Sequence, residues 1–363
     1  MTTLSQRETG CLLIADITGY TSYLQRSELE HAQDVLADLL ETLVVTLQPV
    51  FTLSKLEGDA AFAYAPVGRV SPTLILDTVE AGYFAFRRRL RDIDNATSCE
   101  CNACLLIPSL DLKYFVHHGE FVARRIAGNE ELTGSDVVVV HRLTKGQAGK
   151  QSGFPAYAVY TKKTIESFGM NPDLLGFVPY TEELSDVGEV EVVVQDLGAR
   201  WAFETERHRV YVTEEEAVSS VTWPLPVSPE VAWEYVTSPE KRAQWNPSIT
   251  SFEPQTPGRL GAGSVNHCMH GEEVVVEHVA DWRPFSYFTL EYPMPHLGEG
   301  EYWRHTYEFG EDDEGPAMTL RFSFPTPGVR AWWEQESESF LAGLEENGAQ
   351  LVELWESLEP AQA

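Results

Sequence analysis

Two aspartates follow short apolar segments, where a fold can aim both carboxylates at one site. Asp16 ends an apolar run that starts at residue 12, and Asp59 comes 43 residues later, directly after Gly58. Carboxylate oxygens are the ligands that Mg²⁺ and Mn²⁺ prefer, and two such ions about 4 Å apart can activate a hydroxyl and hold a leaving pyrophosphate. The pattern predicts phosphate chemistry. The alternative is a helix cap at Asp16 and a turn residue at Asp59.

The segments around these aspartates resemble the signatures of the class III nucleotide cyclases, the family of adenylate and guanylate cyclases. The family patterns are Asp-Ile-x-Gly-Phe/Tyr-Thr, Lys-x-x-Gly-Asp, an Ile-His-x-Gly strand and Gly-x-x-Val-Asn-x-x-x-Arg. The matching segments are residues 16–21, 55–59, 114–120 and 134–142. Val138 occupies the position of the family's Asn. The order and spacing of the four segments across residues 8–200 make the resemblance specific.

The resemblance implies a homodimer that converts ATP to cyclic AMP and pyrophosphate with Mg²⁺ or Mn²⁺. Asp16, Asp59 and the backbone carbonyl of Ile17 would hold the metal ions. Lys55 and Glu131 sit where adenylate cyclases place the residues that recognise adenine, since a donor and an acceptor suit its ring nitrogen and exocyclic amine. This favours ATP over GTP, and the alternative for the pair is two surface charges.

The same resemblance gives Arg142 the task of stabilising charge on the transferring phosphate, whereas an ordinary helix-surface arginine is the alternative. Val138 cannot hydrogen-bond a ribose, and losing such a group costs about 2–4 kcal/mol of transition-state stabilisation. That cost corresponds to a rate loss of roughly 30- to 1000-fold. A catalytically degenerate domain that binds nucleotide or only dimerises is therefore the second hypothesis.

Three closely spaced cysteines form a possible zinc or redox motif. Cys99, Cys101 and Cys104 are dense enough to converge on one ion, but three thiolates are one ligand short of a tetrahedral site. The expected sources of a fourth ligand are Cys11, His117, His118 or a partner chain. Buried, unreactive thiols are the alternative.

Hydrophobic periodicity predicts the elements that position these residues. Apolar residues recur at helical spacing over residues 29–47, two strands meet at Gly58, and a second helix covers residues 74–91. A strand over 113–122 and a helix over 136–143 follow. This alternation predicts an α+β fold with helices packed on one sheet, and the family resemblance implies a ferredoxin-like core over residues 1–212.

The remaining chain, residues 213–363, shows a strand, a helix, several strands and a long C-terminal helix. This succession resembles the helix-grip fold of START-like lipid-transfer and polyketide-cyclase-like domains. Such a fold would hold a small apolar or aromatic ligand in a cavity, and a solid aromatic core is the alternative. The expected lining residues are Trp223, Trp245, Tyr287, Tyr292, Trp303 and Tyr307.

Composition limits the partners of the chain. The formal net charge is -30, with 29 acidic and 19 basic residues in 1–212 and 27 acidic and 7 basic in 213–363. Such a potential repels nucleic acid and anionic lipid, so neither partner is expected. The polar first ten residues and the absence of a long apolar run predict a cytoplasmic protein with no membrane span. Five cysteines, an odd number, favour reduced thiols.

Overall fold

The computed structural model describes residues 7–96, 101–126, 129–206, 209–254, 260–270 and 273–358. The chain divides into two compact units, Met1–Arg207 and His208–Ala363. Helices and strands are mixed in both, as the predicted α+β class requires.

The first unit begins with the succession strand, helices, strand, strand, helix, strand. Its elements are β1 (Arg7–Thr18), α1 (Tyr20–Arg26), α2 (Leu29–Leu47), β2 (Thr52–Glu57), β3 (Ala60–Pro66), α3 (Pro72–Ala96), α4 (Asn102–Leu105) and β4 (Asp111–Ile126). The strands lie in the antiparallel order β2-β3-β1-β4. This order and connectivity are those of a ferredoxin-like fold, so the predicted core is confirmed.

The sheet continues beyond this core. The further elements are β5 (Asn129–Thr133), α5 (Ser135–Leu143), α6 (Ala148–Gln151), β6 (Tyr157–Thr161), α7 (Lys162–Ser167), β7 (Val178–Leu184), β8 (Gly188–Asp196) and α8 (Leu197–Glu206). β6 pairs with β4 in parallel, β8 and β7 extend that edge, and β5 pairs with the far end of β4.

The apolar run of β1 arises because this strand is central and covered on both faces. Residues 11–15 are essentially buried throughout, as expected for a strand with no solvent face. Leu12 and Ile14 pack in a cluster with Val137 and Val140 of α5. Gly19 then has a φ of 89°, a left-handed conformation that glycine adopts without strain, and it turns the chain into α1.

The second unit is a seven-stranded antiparallel sheet followed by one long helix. Its elements are β9 (Ser219–Pro224), α9 (Pro229–Thr237), α10 (Pro239–Trp245), β10 (Ile249–Pro254), β11 (Val265–His270), β12 (Glu273–Arg283), β13 (Tyr287–Pro293), β14 (Tyr302–Asp312), β15 (Gly315–Ser323) and α11 (Pro327–Glu356). The strand order is β10-β11-β12-β13-β14-β15-β9. The predicted helix-grip architecture is confirmed.

The core of the second unit lies between this sheet and α11. Trp303 of β14 stacks on Phe322 of β15, and Phe340 of α11 meets Trp303 edge-on at a centroid distance of 5.0 Å. At Gly348 the helix approaches β9 so closely that a Cβ would lie 2.0 Å from the indole nitrogen of Trp223. Only glycine permits that approach.

Candidate functional site

The register of β1 and β3 positions Asp16 and Asp59 beside each other. Asp16 lies opposite Ala60, the residue that follows Asp59, and the backbone N–H of Ile17 donates to the carbonyl of Asp59 over 3.1 Å. Gly58, with a φ of 70°, makes the tight turn that presents Asp59. Both aspartates therefore stand at the same end of two adjacent strands.

The two carboxylates influence each other electrostatically. Burial, together with the charge of Asp59, raises the pKa of Asp16, and burial also raises the pKa of Asp59. Lys113 and Lys145 act in the opposite direction on both pKa values. Within the described part of the chain, neither aspartate forms a salt bridge within 4 Å. These carboxylates, with the adjacent Ile17 carbonyl, are the groups here that could hold a divalent cation.

Lys113 and Lys145 were not expected from the sequence. Lys113 lies directly opposite Asp16 in the β1–β4 pairing, with its ammonium 5.9 Å from the ring centroid of Tyr157. Lys145 follows α5. The only sequence signal for Lys113 would have been the register of two strands almost a hundred residues apart.

Lys55 and Glu131 are in direct contact. The ammonium of Lys55 lies 2.9 Å from a carboxylate oxygen of Glu131 and 3.4 Å from Glu57, and His141 lies 3.4 Å from the other oxygen of Glu57. The hydrogen bond to Glu131 is the main reason why the pKa of Lys55 is raised. Both side chains of the predicted adenine pair remain about a third exposed, at 36% and 37%.

The predicted phosphate-binding arginine has a different neighbour. Arg142, in the last turn of α5, donates to Asp186 over 2.8 Å, in an ion pair largely open to solvent. Val138, on the same helix, is 45% exposed. The Val138 side chain therefore faces outward, and the core contacts of α5 are made by its neighbours.

The strand resembling the Ile-His-x-Gly segment carries a closed polar network. The ring of His117 bonds Asp136 over 2.9 Å and Thr161 over 2.8 Å, and Lys163 donates to Asp136 over 2.9 Å. Burial raises the pKa of Asp136, but the bonds from His117, Lys163 and the backbone outweigh it and lower that pKa to about 2. Both ring nitrogens of His117 are therefore engaged away from the cysteines.

Two of the three predicted thiol ligands lie together with a histidine that sequence reasoning missed. The Nδ1 atom of His31 lies 3.2 Å from the sulphur of Cys101 and 3.7 Å from that of Cys104, and the two sulphurs are 3.4 Å apart. The third predicted ligand, Cys99, lies outside the described residues. His31 was not among the expected sources of a fourth ligand, and both ring nitrogens of His117, which was, have other partners. His31 is 70 residues from Cys101 in sequence, so spacing could not reveal it.

The predicted aromatic lining of the second unit separates into two groups. Tyr292, Trp303 and Tyr307 surround the ring of His305 at centroid distances of 4.7, 5.6 and 5.1 Å. The polar atoms of two others have partners elsewhere: the indole N–H of Trp245 donates to the Tyr235 carbonyl, and the hydroxyl of Tyr287 to Asp281. Trp223 packs against α11.

A buried charged pair beside this ring cluster was not predicted. Arg242 of α10 donates two hydrogen bonds of 2.8 Å to Glu277 of β12, and the hydroxyl of Tyr292 donates to Glu277 over 3.1 Å. Burial alone raises the pKa of Glu277, but Arg242 outweighs it and the net shift is downward.

His305 is one of several buried polar side chains of the second unit that have no hydrogen-bond partner among the described residues. Among the described residues, neither of its ring nitrogens finds a hydrogen-bond partner, and the same holds for Asn266 Oδ1 and the indole nitrogen of Trp355. Burial lowers the pKa of His305 to about 3, so the ring is neutral at pH 7.

Two family models match the chain. Residues 36–152 match the family described as "Protein of unknown function (DUF2652)", and residues 216–348 match "Polyketide cyclase / dehydrase and lipid transport". The second match falls on the helix-grip unit. In the described residues, we find no helix long and apolar enough to cross a membrane.

One relative and several solved structures are similar to the chain. The "Uncharacterized protein Rv2561/Rv2562" of Mycobacterium tuberculosis is 37% identical over 162 residues, covering 45% of this chain and 73% of that protein. The guanylyl cyclase Cya2 aligns with a TM-score of 0.41 at 16% identity, over 53% of this chain and 93% of its own. The adenylyl cyclase CyaB from P. aeruginosa gives 0.40 at 14%, over 53% and 97%. The strand order, rather than these scores, assigns the ferredoxin-like fold.

Proposed function

This chain belongs to the family of the Mycobacterium tuberculosis protein Rv2561/Rv2562, and on that premise we propose that it is a divergent adenylate cyclase coupled to a small-molecule sensor. Residues 1–212 would convert ATP to cyclic AMP and pyrophosphate, and residues 213–363 would bind the small molecule. The observation that carries the proposal is the placement of Asp16 and Asp59 side by side without a salt-bridge partner among the described residues.

The donor set at this site suits Mg²⁺ or Mn²⁺. Two partly buried carboxylates repel each other unless a cation lies between them, and hard oxygens are what these ions prefer. Asp16, Asp59 and the Ile17 carbonyl would hold the ions. When bound, they would neutralise phosphate charge and make the ribose 3′-hydroxyl more acidic.

The chain's own residues would bind and orient the nucleotide. Lys55 would donate to a ring nitrogen of adenine, and Glu131 would accept from its exocyclic amine. In the reaction, the 3′-oxygen forms a bond to the α-phosphorus, the bond to the β-phosphate bridging oxygen breaks, and pyrophosphate leaves. The 3′-hydroxyl proton passes to solvent. Arg142 would stabilise the charge on the α-phosphate, and leaving its exposed partner Asp186 costs about 1 kcal/mol or less.

A homodimer through residues 1–212 is part of the proposal. The resemblance to class III cyclases implies that the metal residues of one chain meet the arginine-bearing helix of another. Arg142 is solvent-exposed, so a second copy can reach it. Light scattering at micromolar concentration, with and without nucleotide, should report a dimer, and a monomer under both conditions would favour a degenerate domain.

The degenerate domain is the second candidate, and Val138 is the observation that favours it. A residue that cannot hydrogen-bond stands, exposed, where the family has Asn. Val138→Asn separates the two candidates because an exposed position tolerates the change. If the rest of the site is competent, cyclase activity should rise by roughly 30- to 1000-fold. Unchanged activity would mean that the alignment of Val138 with the family's Asn, or the mechanism, is wrong.

The direct test of activity uses each of the four nucleoside triphosphates with Mn²⁺. We expect cyclic AMP and pyrophosphate from ATP, identified by mass spectrometry, and little product from the other three. The matched control is Asp59→Ala, in which the product should disappear. Product that persists in this variant would come from a contaminating cyclase.

For residues 213–363 we propose a neutral apolar or cationic aromatic ligand. The strongly acidic balance disfavours an anionic lipid. The neutral ring of His305 has no hydrogen-bond partner among the described residues and is surrounded by four aromatic rings, so it offers a polar anchor beside the buried Arg242–Glu277 pair. Native mass spectrometry of the full chain purified from cells should show a bound molecule, or an added fluorescent apolar probe should bind. Failure of both would leave the aromatic cluster as a solid core.

A further inference from the structure

Two cysteine sulphurs and one histidine nitrogen, from segments distant in sequence, lie close together where α2 and α4 meet. His31 lies in the first turn of α2, Cys101 caps α4 and Cys104 lies within α4. Their ligand atoms, one from each residue, all lie within 4.8 Å of one another. α4 packs against α2 at this cluster.

The distances are those of a metal tetrahedron. With zinc–sulphur bonds of about 2.3 Å and zinc–nitrogen bonds of about 2.0–2.1 Å, tetrahedral angles separate two sulphurs by roughly 3.8 Å and a sulphur from a nitrogen by roughly 3.6 Å. The observed separations are 3.4 Å between the sulphurs and 3.2 and 3.7 Å from the sulphurs to His31 Nδ1. Shifts of a few tenths of an ångström would complete the geometry.

Glu28 anchors the start of the helix that carries the two cysteines. Glu28, which precedes α2, accepts a hydrogen bond of 3.0 Å from the backbone N–H of Ala103 and one of 3.2 Å from the side chain of Asn102. Both hydrogen bonds of this carboxylate therefore anchor the start of α4. The cysteines cannot move far from His31 while Glu28 keeps these bonds.

An unsatisfied hydroxyl lies in the same packing. Tyr23 of α1 is 1% exposed, and among the described residues its hydroxyl has no hydrogen-bond partner. α1 packs against α4 and α2, the two helices that carry the cluster. A neutral thiol is a weak acceptor, whereas a metal-bound thiolate accepts hydrogen bonds well. A metal ion bound by the cysteines would therefore give the Tyr23 hydroxyl a thiolate to which it could donate a hydrogen bond.

We propose that His31, Cys101 and Cys104 bind a zinc ion that fastens the α3–β4 connection to α2. Thiolate and imidazole ligands select zinc over the hard cations that suit the aspartate site. Binding releases the two thiol protons to solvent, and the two thiolates balance the charge of the ion. The three residues fill three positions of a four-coordinate site. The ion is structural and separate from the nucleotide chemistry.

The first measurement is the metal content of the full chain, purified without chelator and analysed by inductively coupled plasma mass spectrometry. We expect about one zinc per chain. Replacement by Co²⁺ should give the intense near-ultraviolet bands of thiolate-to-cobalt charge transfer. This spectrum tests the wild-type protein directly, so the proposal does not depend on whether a variant folds.

Two variants and two controls locate the ion. Cys104→Ser and His31→Asn should each lower the zinc content at least about tenfold. Cys268→Ala, which removes a buried cysteine of the other unit, and Asp59→Ala, which removes a ligand of the nucleotide site, should both keep zinc. Loss of zinc in Asp59→Ala would place the ion at the aspartates and overturn the proposal.

The competing outcome is a disulfide. A chain without zinc, about 2 mass units lighter and with Cys101 linked to Cys104 in a peptide map, would overturn the proposal. Zinc that persists in both Cys104→Ser and His31→Asn, or stoichiometric iron in place of zinc, would overturn it as well.

Discussion

Asp16 in the first unit and Glu277 in the second are both strand carboxylates with restricted access to water, and their neighbours differ. Glu277 receives two hydrogen bonds from Arg242 and one from Tyr292, and its pKa is lowered. Asp16 faces a second carboxylate at Asp59, and its pKa is raised. The same chemical group is thus held ionised by partners in one unit and has no salt-bridge partner among the described residues in the other.

The difference distinguishes a carboxylate that stabilises the fold from one that is available to bind a ligand. A carboxylate whose lone pairs are satisfied inside the fold contributes to one packed arrangement and has little left for a ligand. A carboxylate without a salt-bridge partner costs stability until something binds it, and such sites are where function is expected. Within the second unit, the environment of His305 resembles that of Asp16 rather than that of Glu277, since its ring lacks hydrogen-bond partners among the described residues.

The largest expected effect comes from breaking the buried pair. Arg242→Met leaves Glu277 charged and buried, so the free energy of unfolding should fall by about 3–5 kcal/mol. Eight of the nine tryptophans belong to the second unit, so urea denaturation followed by tryptophan fluorescence reports on it almost alone. Replacing both partners, as Arg242→Met with Glu277→Leu, should cost less than the single change.

The matched control is Arg304→Met, the same substitution in a more exposed pair with Glu291. It should cost about 1 kcal/mol or less. If Arg242→Met costs no more than this control, Arg242 does not stabilise the buried carboxylate of Glu277.

The next effect concerns the carboxylates of Asp16 and Asp59, which form no salt bridge with the described residues. Asp59→Ala removes one of the two groups around which a cation would bind, so Mn²⁺-dependent ATP binding should weaken at least about 100-fold, equivalent to about 2.7 kcal/mol. Isothermal titration calorimetry with and without Mn²⁺ measures this change. Asp34→Ala, at an exposed aspartate of α2, serves as the control and should bind as the wild type does. Equal binding by both variants would remove the metal assignment.

The third effect is a pH dependence at His305. Its pKa is lowered to about 3 in the folded state from 6.5, so the unfolded chain binds a proton more readily and acid favours unfolding. Stability from this group is present above pH 6.5 and is lost as the pH falls towards 3. Between pH 7 and pH 5 the wild type should lose about 2 kcal/mol more than His305→Phe.

Urea denaturation of both proteins at the two pH values measures the difference. His278→Phe replaces an exposed histidine of the neighbouring sheet region and should keep the wild-type loss. If His305→Phe and the wild type lose the same stability in acid, the pKa of His305 is not lowered in the folded protein.

Features that depend on local sequence were predictable, and features that depend on register or on distant contacts were not. The burial of β1 and the turn at Gly58 could be inferred because apolar runs and Gly-Asp turns act within a few residues. Lys113 reaches Asp16 only through strand pairing, and His31 meets Cys101 from 70 residues away. Arg242 lies in a polar helix, which in a sequence looks like surface.

The smallest expected effect is a gain in stability, whereas the other effects are losses of stability or of binding. It tests the contrast at Asp16, in the first unit. Because the pKa of Asp16 is raised in the folded state, folding binds its proton more tightly, and the stability linked to this group is lost as the pH rises through that raised value. At pH 7 without added Mn²⁺, Asp16→Asn should therefore melt slightly higher than the wild type in a calorimetric scan. Asp34→Asn should not change the melting temperature.

Adding Mn²⁺ and ATP should reverse that order. The wild type gains stability by binding them, and Asp16→Asn does not, because the amide is a poorer ligand and cannot balance the charge of the ion. A reversal would mean that the cost of leaving Asp16 unpaired is recovered when the site is filled. If Asp16→Asn melts lower under both conditions, Asp16 already contributes to the fold as Glu277 does, and the contrast between the two carboxylates does not hold.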